Sequence, residues 1–97
     1  MAKGFWIARV DVDEMETYKK YVAGVEATLA KFGGKFIVRG GTHKVVEGTA
    51  RSRNIVAEFP SYKEAQRCWN SPEYQALREI RLPVATADII IIEGYEG

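Results

Sequence analysis

The spacing of apolar residues changes along the chain between a period near two and a period near 3.6. Alternating β-branched and aromatic residues predict strands at Gly4–Val12, Lys35–Arg39 and Arg53–Phe59. The run Asp88–Glu93 holds four consecutive isoleucines, which predicts a fourth strand that is apolar on both faces. His43–Glu47 predicts an extension of the second strand beyond its glycine turn.

Apolar residues three and four positions apart predict a first helix over residues 14–32. Asp13 is the expected N-cap, and Glu16 three positions later would complete a capping box. The pair Gly33–Gly34 is expected to end this helix. Gly24 lies inside it and costs about 1 kcal/mol relative to alanine, which weakens the prediction of a straight helix there.

A second helical region follows the third strand and is interrupted once. Ser61 is the expected N-cap of a short helix that runs through Trp69. Ser71 with Pro72 predicts a fresh start, because serine suits the N-cap and proline suits the first helical position. This last helix should reach about Leu82, where the next residue is a proline.

The order is therefore strand, helix, strand, strand, helix, strand in one domain over residues 1–97. This order predicts an α+β, ferredoxin-like βαββαβ fold with a four-stranded antiparallel sheet and its helices on one face. The first strand is apolar on both faces, like the isoleucine strand. Since helices cover only one face, we expect a homodimer in which two sheets pack through their open faces. The alternative is a monomer with a modestly apolar open face.

Composition narrows the possible partners. The 97 residues carry 14 Lys plus Arg against 13 Asp plus Glu, without a basic stripe, which argues against nucleic acid. An RNA-recognition module with this strand order would need a basic-glycine-aromatic motif that residues 52–59 lack. No apolar run approaches a membrane span, and the N-terminus shows no signal peptide, so we expect a cytoplasmic protein.

The sequence gives little indication of a metal site or of redox chemistry. One histidine and one cysteine, Cys68, cannot build the usual zinc site within one chain, and a single cysteine forms no internal disulfide. A serine-histidine-aspartate set, a phosphate loop and a dinucleotide fingerprint are all absent. We therefore expect no metal and no cofactor.

Arg39 is the first candidate for binding chemistry. It ends a strand directly before Gly40 and Gly41, which permit close approach of a ligand or a turn with positive φ. Its planar guanidinium suits a carboxylate or a phosphate. The alternative role is an ion pair with Glu58 or Asp88 across the sheet.

The helix start at Ser71 is the second candidate. Free N–H groups, the Ser71 hydroxyl and the Tyr74 phenol lie there within one helical turn, and helix N-termini bind anions. Arg81 is seven positions after Tyr74 and so shares its helical face. Arg81 either contacts an anion or forms a structural ion pair, with Asp88 as the nearest acid after it. His43, the only near-neutral titrating side chain, is a weak catalytic candidate.

Four segments of the chain resemble the DUF1330 family, a family of unknown function. They occur in the family's order and lie within residues 6–94, and they are Phe36–Gly41, Glu58–Ser61, Asn70–Gln75 and Asp88–Gly94. The resemblance implies a small, mostly bacterial protein with the dimeric α+β barrel fold. The residues that it would carry over as ligand contacts are Arg39, Gly40, Gly41, Ser71, Tyr74, Arg81 and Asp88.

The expected function is binding of a small anionic or polar organic molecule in a cleft near a dimer interface. Relatives of the barrel group include cofactor-independent monooxygenases and haem-degrading enzymes. The alternative is therefore a cofactor-independent monooxygenase or an isomerase-type enzyme acting on a small acidic substrate. In that case Tyr74 or His43 would assist proton movement.

Overall fold

The computed structural model describes residues 2–96, one residue short at each end of the domain predicted over 1–97. Its elements follow in the order β1 (Gly4–Val12), α1 (Met15–Ala30), β2 (Lys35–Arg39), β3 (Arg53–Phe59), α2 (Tyr62–Trp69), α3 (Pro72–Arg81) and β4 (Ala85–Glu93). The strands form one antiparallel sheet in the order β2-β3-β1-β4. This is the predicted α+β, ferredoxin-like fold, with the second helical region split in two.

The first three strands have the predicted bounds, whereas β4 is three residues longer than predicted. Ala85 pairs with Val12, so the sheet includes a small and polar segment before the isoleucines. The predicted extension at His43–Glu47 is wrong: these residues are exposed and belong to no strand. Val46 is 87% exposed, since no neighbouring strand supplies backbone partners to this loop.

The predicted capping box of α1 is also wrong. The N-cap is Glu14, whose carboxylate oxygens accept hydrogen bonds from the Thr17 N–H at 3.2 and 3.3 Å. Asp13 lies one residue before the cap, and its N–H donates to the Val84 carbonyl at 2.7 Å. Asp13 thus hydrogen-bonds to the segment before β4. Glu16 lies in the first turn of α1 and forms no capping box with Asp13.

Both later caps are confirmed. The Ser61 hydroxyl accepts a hydrogen bond from the Glu64 N–H at 3.1 Å, at the start of α2. The Ser71 hydroxyl accepts one from the Tyr74 N–H at 3.2 Å, with Pro72 at the first position of α3. The break between α2 and α3 therefore lets α3 start in a new direction with its own cap.

α1 and α3 pack closely against each other beside the sheet. A Cβ atom at Gly24 of α1 would lie 2.7 Å from Cδ2 of Leu77 in α3. The glycine thus allows the two helices to approach, which explains its place inside a helix.

The two faces of the sheet differ in what covers them. The helix face of the central strand carries Trp6 and Val10, which are 5% and 2% exposed. The opposite face is open in the single chain, and Ile90 and Ile92 on it are 54% and 44% exposed. The prediction of a sheet that is apolar on both faces is confirmed. Among residues 2–96, no helix is long and apolar enough to cross a membrane.

We expect Gly34→Ala to destabilise the fold by about 1–3 kcal/mol through overpacking. A Cβ atom at Gly34 would lie 2.5 Å from Cε1 of Phe59, a ring that is 1% exposed and has no room to move. Gly41→Ala is the matched control, because nothing lies within 4 Å of its Cβ position. Urea unfolding midpoints check this, and equal midpoints for the two variants would contradict the packing described here.

Candidate functional site

A cavity lies on the helix face of the sheet, beneath α1 and α3. It measures about 40 Å³ as the space open to the centre of a water-sized sphere. α1 packs chiefly against α3 and touches the sheet mainly through β2. The lining residues are Trp6, Ala8, Val10, Tyr18, Tyr21, Val22, Val25, Phe36, Arg39, Arg53, Ile55, Ala57, Tyr74, Arg81 and Ile89.

Aromatic rings hold the walls of the cavity in place. The Trp6 indole N–H donates a hydrogen bond to the Ala65 carbonyl at 2.9 Å, which fixes the ring against α2. The Trp6 ring centroid lies 4.9 Å from that of Tyr74 and 5.2 Å from that of Phe59. Such tilted and edge-to-face contacts leave each ring one packed orientation. The cavity is therefore preformed.

Two phenols meet inside the cavity. The hydroxyl oxygens of Tyr21 and Tyr74 are 2.9 Å apart and share a hydrogen bond. Burial raises the pKa of Tyr21 well above its usual value, and the adjacent Tyr74 adds to the rise. Tyr21 is consequently protonated at neutral pH. The pair has one O–H that is not used between the two oxygens and can donate to a bound group.

Arg81 is the most unusual group in the cavity. Its side chain is only 4% exposed, and its Cζ atom lies 5.4 Å from the Tyr21 ring centroid. Burial works to lower the pKa of Arg81, but contacts with Tyr74 and Tyr21 outweigh burial and raise it. Within residues 2–96 its Nε atom has no hydrogen-bond partner and no carboxylate pairs with it. Burying a guanidinium without a carboxylate partner costs free energy.

Two further arginines line the same cavity. Arg53 stacks with its Cζ atom 5.8 Å from the Tyr18 ring centroid, and its Nε atom is also buried without a partner. Arg39 stacks on Phe36 at 4.5 Å and pairs with Glu26 of α1, with 3.5 Å between Nη1 and Oε1. This ion pair joins β2 to α1. The Arg39 partner is therefore Glu26, and neither of the two acids that the sequence suggested.

Of the predicted ligand contacts, the structure brings Arg39, Tyr74 and Arg81 together in the cavity. Ser71 lies outside the lining: its hydroxyl donates to the Cys68 carbonyl at 2.7 Å and accepts from Tyr74, so it positions Tyr74 instead. Gly40 also lies outside, with φ of +68°.

Gly40 nevertheless affects the cavity through Arg53. A Cβ atom at Gly40 would lie 2.8 Å from Nη1 of Arg53, so the glycine makes room for that guanidinium. Its N–H donates to the Asn54 carbonyl at 2.9 Å, which holds the turn beside β3. Gly40 is thus a positioning residue for Arg53.

Three other predicted residues lie away from the cavity. Asp88 is on the open face of the sheet, where its carboxylate accepts from Nε of Arg51 at 2.8 Å, so the suggested pair with Arg81 does not form. His43 and Gly41 are exposed in the loop after β2, and the His43 ring contacts only the Gly41 carbonyl at 3.4 Å. None of these three can contact a ligand in this cavity.

In the described part of the chain, neither Cys68 nor a group of metal ligands forms a second candidate site. Burial raises the pKa of Cys68 to about 12, with Glu73 adding to the rise, so this thiol is unreactive at neutral pH. Residues 2–96 contain no group of three or more histidine, cysteine or acidic side chains that could hold a metal ion.

Sequence reasoning missed Arg53 and Tyr21 as site residues. Arg53 shares its strand face with the apolar residues Ile55 and Ala57. An arginine at every second position with apolar residues is a usable sign that its side chain lies on the covered face. Tyr21 follows Tyr18 by one helical turn and lies on the same buried stripe.

The comparison with family models agrees with this geometry. The model described as "Domain of unknown function (DUF1330)" matches residues 3–95. The chain belongs to the DUF1330 family. The resemblance read from its four segments is thereby confirmed, and the family description supplies no activity. Among curated proteins, none matches the chain.

Solved structures similar to this DUF1330 chain share its fold at low identity. A protein of unknown function from Rhodopseudomonas palustris has a TM-score of 0.77 at 16% identity, covering 99% of this chain and 85% of its own. SnoaB, a cofactor-independent oxygenase from Streptomyces nogalater, has a TM-score of 0.70 at 13% identity, and the match covers 100% of this chain and 97% of SnoaB. A dimeric ferredoxin-like protein of unknown function from Thermobifida fusca has a TM-score of 0.57 at 12% identity, and the match covers 95% of this chain and 91% of that protein. These values demonstrate a shared fold, and function must be argued from the cavity.

Proposed function

We propose that this DUF1330 protein is a homodimer that binds a small organic anion in the cavity between the sheet and the helices. The single observation that carries the proposal is the buried guanidinium of Arg81, which no carboxylate compensates within residues 2–96. Taking a charge out of water costs several kcal/mol unless a partner compensates it. A bound anion would be that partner.

The surroundings of Arg81 fit an organic anion. Hydrogen bonds to a charged group each contribute about 1.5–3 kcal/mol, and Arg81 offers its fork beside the hydroxyls of Tyr21 and Tyr74. The remaining wall is mostly apolar and aromatic, with Trp6 and Phe36 among the rings. The acidic group would therefore bind at Arg81 and the hydrocarbon part against the rings.

We expect Arg81→Gln to weaken the binding of benzoate about 10- to 100-fold, because one charge-assisted contact of about 1.5–3 kcal/mol is lost. Isothermal titration calorimetry measures the dissociation constant. Arg67→Gln is the matched control: Arg67 is an exposed arginine on α2 that pairs with Glu64 and does not line the cavity.

Unfolding curves of both variants verify that each is folded before binding is compared. Equal benzoate affinity of Arg81→Gln and Arg67→Gln would contradict a role for Arg81 in anion binding. Failure of the unaltered protein to bind benzoate at millimolar concentration would also count against it.

The homodimer part of the proposal comes from the open sheet face. Phe5 and Ile7 of β1 point to the same face as Ile90 and Ile92 of β4, and Val56 of β3 lies beside them. An apolar patch shared by three strands is typical of an interaction surface. Packing two copies face to face about a twofold axis would cover it in both chains. The Thermobifida fusca neighbour with this fold is itself described as dimeric.

We expect light scattering at micromolar concentration to give about twice the 10.9 kDa chain mass for the unaltered protein. Ile90→Asp should shift the population towards monomer, since it buries a carboxylate in the proposed interface. Met15→Asp is the control, because Met15 is 50% exposed at the start of α1, on the helix side of the sheet. A monomeric unaltered protein, or a dimer unaffected by Ile90→Asp, would contradict the proposed interface.

An enzyme of the cofactor-independent monooxygenase or isomerase type is the second candidate. The hydroxyl pair of Tyr21 and Tyr74 beside Arg81 favours it, because a guanidinium could stabilise an enolate while a phenol moves a proton. The cavity lining contains no carboxylate and no histidine, and the raised pKa of Tyr21 makes it a poor base at neutral pH. A cavity with arginines and hydroxyls alone favours binding. We propose a cytoplasmic location for either activity.

A further inference from the structure

Two arginines of the cavity have no carboxylate partner in the described part of the chain: Arg81, which is buried, and Arg53, which is partly exposed. The three arginines of the cavity face a lining without any acidic side chain, and only Arg39 has a carboxylate partner, Glu26. Within residues 2–96, Arg53 and Arg81 each have a buried Nε atom without a hydrogen-bond partner. A ligand with one negative charge would leave one of these two guanidinium groups unpaired.

The two guanidinium groups occupy separate positions. Arg81 lies over the ring of Tyr21 and Arg53 over the ring of Tyr18, at 5.4 and 5.8 Å from the respective centroids. Those two rings are neighbours, with centroids 5.5 Å apart. Arg81 comes from the end of α3 and Arg53 from the start of β3, so the two side chains enter the cavity from different elements. Two separate acidic groups match this layout better than one.

The walls restrict the shape of the molecule that would connect these groups. Trp6, Phe36, Tyr18 and Tyr21 all line the cavity with their rings. Aromatic walls favour a flat unit over a branched one, because flat molecules stack against aromatic side chains.

We propose that the ligand is a flat organic dianion with two separate acidic groups, one bound by Arg81 together with the Tyr21 and Tyr74 hydroxyls, and the other bound by Arg53. This inference rests on the proposed anion-binding function and specifies its ligand class. Carboxylates fit both positions, since a guanidinium fork takes a carboxylate in two parallel hydrogen bonds.

Calorimetric titration with three probes tests the inference. Benzoate carries one acidic group on a flat ring, terephthalate carries two at opposite ends, and phenyl phosphate carries a double charge on one group. We expect terephthalate to bind at least about tenfold more tightly than benzoate, the effect of one additional charge-assisted contact. Phenyl phosphate should bind more weakly than terephthalate.

Variants separate the two positions. Arg53→Gln should bring the ratio of terephthalate to benzoate affinity close to one, whereas the control Arg67→Gln should leave the ratio as it is in the unaltered protein. Arg53→Lys keeps the positive charge but loses the planar guanidinium, so it should give an intermediate ratio of terephthalate to benzoate affinity. It replaces Arg53→Gln in the test if that variant does not fold.

Each contrary result is distinguishable from failure of the proposed function. Benzoate binding with no gain for terephthalate would overturn the two-group ligand while leaving anion binding at Arg81 in place. Tighter binding of phenyl phosphate than of terephthalate would overturn it in favour of a single doubly charged group. Absence of binding by all three probes would overturn both.

Discussion

The uncompensated burial of the Arg81 guanidinium is the constraint on which the rest of the structure depends. An arginine stays charged in a protein, so the fold must stabilise this charge away from water. It does so with π faces and hydroxyl oxygens: the Tyr21 ring lies 5.4 Å from Cζ, and the hydroxyls of Tyr21 and Tyr74 lie close by. The helix break that is capped by Ser71 places Tyr74 where this arrangement needs it.

One face of the sheet carries the cavity, and the other face is open in the single chain. On the helix side, Gly24 lets α3 approach α1 closely, and α1 then rests on α3 more than on the central strands. The space left between α1, α3 and the sheet is the cavity, which residues of all four strands line. On the other side no helix covers Ile90 and Ile92 within the chain. A sheet that is apolar on both faces thus forms one wall of the cavity and leaves its other face open in the single chain.

Sequence patterns predicted the strands and the order of elements because both depend on local periodicity and on caps. They failed where the deciding contact is distant in sequence. Asp13 resembles an N-cap, but the N–H groups of both Asp13 and Glu14 donate to the carbonyl of the distant Val84, and the helix is capped one residue later, by Glu14. Asp88 is close to Arg81 in sequence, yet the pleat turns it to the opposite face. Arg53, one of three arginines in the cavity, was missed because the pairing of β3 with β1 decides that its face is the one beneath the helices.

The most direct test of this account is an NMR titration that follows the arginine Nε–H signals, with the Arg81 signal assigned by its loss in Arg81→Gln. Addition of benzoate should shift the Arg81 signal, and the shift should saturate with the same dissociation constant as the change in tryptophan fluorescence, because Trp6 lines the same cavity. A stationary Arg81 signal while benzoate shifts the signals of surface arginines would contradict the account.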